Sequence, residues 1–245
     1  MLMNVEQFKN FVNKATLNYY IDSVQLNYDP DKDVVWSKMI SASSEAATIL
    51  SIPNNIFSDI KEDIQLNFCN PKTELKPFIE LIDDEEVMLK LHKNKVVINN
   101  NLKLHFDDPS VISVFNSDGP LDDIEYFTEI TINNNFINNF KKIKKIGNRF
   151  GKVYFTVSDN VLYIETMDKN NSFSNGISFE IGNVDYKDLS MCFNYNILVN
   201  LFNVLGDEYN EFTLKLAYIE EKEGGMIYVC RGDQERYFLM SMVLD

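Results

Sequence analysis

Residues 133–149 read NNNFINNFKKIKKIGNR. At 100° per residue, Phe136, Ile137, Phe140 and Ile143 gather on one side, and Lys141, Lys142 and Lys145 fall opposite. The spacing predicts an amphipathic helix over 134–146 whose wet face is basic. The stretch holds four lysines and an arginine without one acid, inside a chain of formal net charge −14. Taken alone, such a face is most simply solvated. The same residues also suit a surface built to meet a polyanion. The rest of the chain decides between the two.

The chain has 245 residues, enough for one large domain or two of ordinary size. Its 45% hydrophobic content supplies packed cores. No window approaches the ~20 uninterrupted apolar residues of a membrane helix. The opening MLMNVEQFKN turns polar at once and does not read as a secretory signal. Cys69, Cys192 and Cys230 are few, odd in number and without motif, so they read as buried thiols of a reducing compartment. The acid excess (37 acids against 23 bases) repels phosphate from most of the surface. The sequon Asn170-Asn171-Ser172 reads as chance.

Working outward from 133–149, two halves match. A short helix over Val5 to Lys14 carries Val5, Phe8, Val12 and Ala15 on one face. Ser23 to Tyr28 alternates Val24, Leu26 and Tyr28 inward as a half-buried strand, ending at Asp29-Pro30-Asp31. Val34 to Ile40, Ala46 to Leu50 and Ile64 to Phe68 read as further strands. Thr73 to Ile82 reads as a helix with Thr73 as its cap and Pro77 in its first turns. Glu86 to Leu91 and Lys95 to Ile98 flank a tight turn at Lys93-Asn94, and Leu102 to Phe106 closes the half. Asp107 to Phe127, with Pro109, Gly119, Pro120 and the pair Asp122-Asp123, keeps no period and reads as an extended connector.

The second half replays this order. The helix at 134–146 precedes Lys152 to Val157, which turns at Asp159-Asn160 into Val161 to Thr166. Ile177 to Ile181 answers Ala46 to Leu50, and Leu189 to Phe193 answers Ile64 to Phe68. A helix over Tyr195 to Leu205 answers Thr73 to Ile82. Glu211 to Leu216 answers Glu86 to Leu91, sharing Leu-Lys-Leu. A hairpin through Gly224-Gly225 leads to Met226 to Cys230, and Arg236 to Met240 ends the sheet. The offset is roughly 125 to 130 residues, and an internal duplication outweighs any single motif. The fold class is α+β, with two tandem similar domains (1–107 and 128–245) joined by a connector (108–127), each with antiparallel sheets and two helices.

Charge sorts by element. With the third helix carried on to Arg149, the four expected helices hold eight bases (Lys9, Lys14, Lys76, Lys141, Lys142, Lys144, Lys145, Arg149) and three acids (Glu6, Glu74, Glu80). The strands and loops keep 15 bases and 34 acids. The last helix is uncharged, with Asn196, Asn200 and Asn203 on its wet face. Helices on one side of the sheets would make that side neutral or positive and the other strongly negative.

In its doubled unit, its basic helix followed by KVYFTVSDNVLYIE (152–165), its connector with LHFDDPSVISVF (104–115) and its C-terminal ERYFLMSMV (235–243), the chain resembles a DNA polymerase sliding clamp, the ring-shaped processivity factor. It is most similar to the clamps of T4-like phages and, more distantly, to the proliferating-cell antigen family. The resemblance implies the ring-forming DNA clamp fold, a homotrimer, helices lining the hole and sheets facing outward. It implies that the eight helical bases named above meet double-stranded DNA without reading sequence. It also implies a hydrophobic groove for short partner peptides, walled by Val111, Ile112, Val114 and Phe115 of the connector and by Tyr237, Phe238, Leu239 and Met240. Met240 stands where the family often has a smaller residue. The implied partners are a replicative DNA polymerase, a clamp-loader ATPase and, for phage-type clamps, transcription factors. The implied setting is intracellular, the cytoplasm of an infected bacterial host if the chain is phage-encoded.

Nothing in the residues points to catalysis, a metal or a cofactor. His92 and His105 have no neighbour spaced for a triad or metal pair, and no HExxH, GxSxG or phosphate loop occurs. Asp29, Asp31 and Asp33 resemble the start of an EF-hand, but Val34 and Ile40 occupy the glycine and glutamate positions. Acidic turns such as Asp83 to Glu86 are usually solvated. Two other functions remain compatible: a peptide-binding adaptor or transcription coactivator on the same fold, and a structural protein whose lysines only solubilise it.

Overall fold

The structure is a computed structural model that describes residues 1–60, 62–116, 124–168 and 175–242. Gly119, Pro120, Asp122, Asp123, the sequon around Asn171 and Val243 lie outside the described residues. Contacts divide the chain into two compact units, Met1–Asp118 with Gly232–Arg236, and Gly119–Arg231 with Tyr237–Asp245.

The first unit runs β1 (Leu2–Asn4), α1 (Val5–Ala15), β2 (Ser23–Asp29), β3 (Val34–Ile40), β4 (Ala46–Pro53), β5 (Phe57–Ser58), β6 (Ile64–Cys69), α2 (Lys76–Glu80), β7 (Glu86–His92), β8 (Lys95–Ile98) and β9 (Leu102–His105). The second runs β10 (Thr128–Thr131), α3 (Asn134–Phe150), β11 (Lys152–Ser158), β12 (Val161–Thr166), β13 (Ile177–Asn183), β14 (Leu189–Asn194), α4 (Tyr195–Leu205), β15 (Thr213–Ile219), β16 (Gly224–Arg231) and β17 (Glu235–Met240). In the first unit the strands order as β5-β1-β7-β8-β9 and β4-β3-β2-β6. In the second they order as β10-β15-β16-β17 and β13-β12-β11-β14. Strand for strand these are one topology used twice, with β5 an added edge in the first unit. The pairs β1 with β7, β7 with β8 and β2 with β6 in the first unit, and β11 with β14 and β15 with β16 in the second, are antiparallel. The repeat read from spacing is thus a repeat of structure.

Local chemistry explains the match. Asn4 and Asn133 cap α1 and α3, their side chains accepting the N–H of Gln7 and Phe136, which satisfies one orphan donor at each helix start. Gly151 ends α3 in the left-handed region (φ 67°), where a Cβ would be penalised. The expected two-residue turns hold: His92 pairs with Lys95, and Ser158 with Val161. No helix among the described residues is long and apolar enough to cross a membrane.

Four expectations need correction. The helix over 73–82 shrinks to α2, because Pro77 has no N–H to give the carbonyl of Thr73 and residues 70–75 close as turns on Asn70 and Pro71; Thr73 caps nothing. The third helix runs on past Ile146 to Phe150, through Gly147, whose space is taken by a neighbouring ring. β2 is buried on both faces, since Gln25, Asn27 and Asn67 bond to one another through their side-chain amides. Gly224 and Gly225 do not turn the last hairpin; they pair within β16, and residues 220–223 make the turn with Glu223 left-handed. Glycine is required at 225 because a Cβ there would overlap the Met191 side chain. β1, β5 and β10 were not foreseen, being too short to show a period.

Candidate nucleic-acid interface

In the second unit, α3 buries Phe136, Ile137, Phe140 and Ile143 and turns Lys141, Lys142, Lys144, Lys145 and Arg149 to solvent. The Phe136 and Phe140 rings pack on Phe202 of α4 at 5.5 and 4.3 Å between centroids. Burying each phenylalanine contributes about 1.5–3 kcal/mol, which fixes the roll of the helix and therefore its basic face. Gly147 lets the Tyr195 ring close in, and the Tyr195 hydroxyl donates to the Lys144 carbonyl at 2.7 Å. Burial raises the Tyr195 phenol above its ordinary range.

The α3 ammonium groups rest on neutral partners. Lys142 bonds Asn139 Oδ1 at 3.3 Å and stands 5.0 Å over the Phe179 ring, and Lys144 bonds Asn203 Oδ1 at 3.2 Å. Among the described residues no carboxylate pairs with any of the five bases. Within the described residues the face therefore keeps its positive charge. α4 brings amides and no charge to this face.

The first unit is different. Beyond α1 and its cap Thr16 come three successive left-handed residues, Leu17, Asn18 and Tyr19 (φ 50°, 54° and 61°), a conformation that costs Leu17 and Tyr19 about 1–2 kcal/mol each. Buried Leu17 and the bond from Tyr19 N–H to Thr16 Oγ1 hold the turn. It aims the Tyr19 ring at Lys76, whose ammonium lies 5.4 Å from the ring centroid. α1 and α2 border a groove of 510 Å³ whose lining includes Glu6, Lys9, Asn10, Tyr19, Lys76 and Glu80. Lys76 also reaches Glu80 at 3.7 Å. Lys14 departs from the sequence reading. Its ammonium bonds Glu235 Oε1 at 3.0 Å, with side chains only 12% and 1% exposed, so this base serves the fold instead of the wet face.

The expected groove residues divide between the units. Ile112 is buried, Phe115 half-buried, and Val111 and Val114 are 58% and 44% exposed. Residues 113–115 lie along the half of β3 that β2 leaves: Val114 bridges Met39, the Ile40 N–H donates to the Ser113 carbonyl, and the Phe115 N–H donates to the Lys38 carbonyl. Tyr237, Phe238 and Leu239 are buried in the second unit, and Met240 is half-buried. Tyr237 packs on Phe212, while Phe238 stacks on Tyr228 and Tyr228 on Tyr126. Sequence reading missed the Tyr19–Lys76 pair and the amide partners of α3, since no local pattern signals contacts between helices.

Comparison with solved structures finds sliding clamps. In the structure of the C-terminal region of FEN-1 bound to A. fulgidus PCNA, a chain matches with TM-score 0.66 at 15% identity, over 100% of this chain and 98% of that one. The beta chain of DNA polymerase III from Streptococcus pneumoniae matches with TM-score 0.66 at 12% identity, over 100% and 64%. The Helicobacter pylori beta clamp bound to a DNA ligase peptide matches with TM-score 0.62 at 17% identity, over 100% and 65%. The chain spans just under two thirds of these bacterial chains. No family profile matches it, and no curated protein matches it by sequence. The fold is the DNA sliding-clamp fold, with two of its units in this chain.

Proposed function

We propose that the chain is a sliding clamp, a homotrimeric ring that encircles duplex DNA and tethers a replicative DNA polymerase without catalysing a reaction itself. The observation that carries this is α3, a helix with five exposed bases and no carboxylate partner among the described residues, in a chain of net charge −14. Positive charge gathered on a helix face binds phosphate without base contacts and so permits sliding.

Ring closure needs complementary edges. Among the described residues β9 ends one sheet of the first unit, and β13 ends one sheet of the second. β9 exposes Lys103 and His105, and β13 exposes Glu180. Pairing β9 of one copy with β13 of the next joins opposite charges and satisfies both edges. Three copies of two units then supply the six units that the clamp resemblance implies. Loading would fall to a separate ATPase.

The test is retention on circular duplex DNA in the presence of a loader, with release on linearisation, and sedimentation as a trimer. A monomer at all concentrations together with no loader-dependent retention sinks the reading. A second reading, a peptide-binding adaptor or transcription coactivator, is favoured by the exposed valines beside the docked connector. Val111→Ser with Val114→Ser should weaken binding of a polymerase C-terminal peptide several-fold while leaving retention on DNA intact.

A further inference from the structure

We infer that α3 alone carries the phosphate contact of this chain, and that the helices of the first unit present a charge-neutral surface to the duplex. The inference rests on the clamp reading and divides the eight helical bases into two classes. On α3, Lys141, Lys145 and Arg149 recur every fourth residue, so they form a row along the helix with steps of about 6 Å. Lys142 and Lys144 flank the row, each steadied by an amide that leaves its charge uncancelled. In the first unit Lys14 is neutralised by Glu235 at 3.0 Å. Lys76 has Glu80 at 3.7 Å, and Lys9 shares its groove with Glu6. That groove therefore presents two bases and two acids. The groove lining thus balances its charges, while α3 itself carries five bases and no acid, and a polyanion gathers where positive charge is in excess. A ring of such chains carries three strong phosphate sites instead of six equal ones.

The experiment measures duplex binding by the intact protein across a salt series. Each phosphate contact contributes about 0.9 to the slope of log K against log salt. Lys141→Gln with Lys145→Gln should flatten the slope by about 2, and Lys141→Arg with Lys145→Arg should restore it. Lys9→Gln with Lys76→Gln should leave the slope unchanged. The inference is overturned if the first-unit variant flattens the slope as much as the α3 variant does. A wild-type protein with no salt-dependent duplex binding would overturn the inference as well, whereas the clamp reading itself falls only with a monomer that no loader retains on circular DNA. All four substituted side chains are at least partly solvent-exposed, and unchanged circular dichroism shows that each variant folds.

Discussion

At Lys14 the ammonium meets Glu235 with both side chains nearly closed to water. Removing one member of such a pair leaves a buried charge, which costs about 3–5 kcal/mol, whereas replacing both by apolar groups is far milder. Lys14→Gln should therefore lower the urea midpoint sharply, and Lys14→Met with Glu235→Leu should recover much of it. Tyr154 gives a pH signature. Burial, and then Cys192, push its phenol up to about 12 from an ordinary 10.0. The neutral phenol is thus favoured in the fold. Its contribution is fully present below pH 10 and is lost as pH rises through about 12. Tyr154→Phe should flatten the fall in stability across that window, read from denaturation midpoints at a series of alkaline pH values; an unchanged fall would count against the assignment.

At the scale of elements, the roll of α3 sets its function, and Gly147 is where that roll is most constrained. A Cβ at 147 would lie 2.5 Å from the Tyr195 ring, so Gly147→Ala forces α3 and α4 apart. Overpacking of this kind costs about 1–3 kcal/mol, measurable as a lower melting temperature. Gly182→Ala, with nothing within 4 Å of the added Cβ, is the control and should change little. α3 and α4 were legible because 17 and 11 residues of 3.6-residue period leave a strong trace. α2 was misjudged in length because five residues and a proline leave almost none. The turn at 220–223 was misplaced because two glycines signal a turn just as well as they signal a close neighbour, here Met191.

For the whole molecule, the decisive expectation concerns the free edge of β9. The Phe106 N–H bonds the Asn94 carbonyl and the strands keep one register, so the backbone of Lys103 points away from β8. Lys103→Pro deletes that outward N–H. It should convert a sedimenting trimer to monomer with far-ultraviolet circular dichroism preserved. A trimer that survives the change would show that this edge is not the seam.

Sequence alone determined the duplication, the helix and strand types, the turns at 93–94 and 159–160, and the basic face of α3. These are read from periods and turn chemistry within a few residues of one another, which tertiary packing only had to respect. Tertiary structure decided which bases stay available. Lys14 and Lys145 look alike in a charge count, yet one is drawn to a carboxylate 221 residues away and the other meets none among the described residues. It also decided that β2 would be buried on both faces and that Gly147 and Gly225 would be filled by Tyr195 and Met191. Each of these depends on which distant side chain arrives at the site, and long-range contacts leave no periodic mark in the chain that makes them.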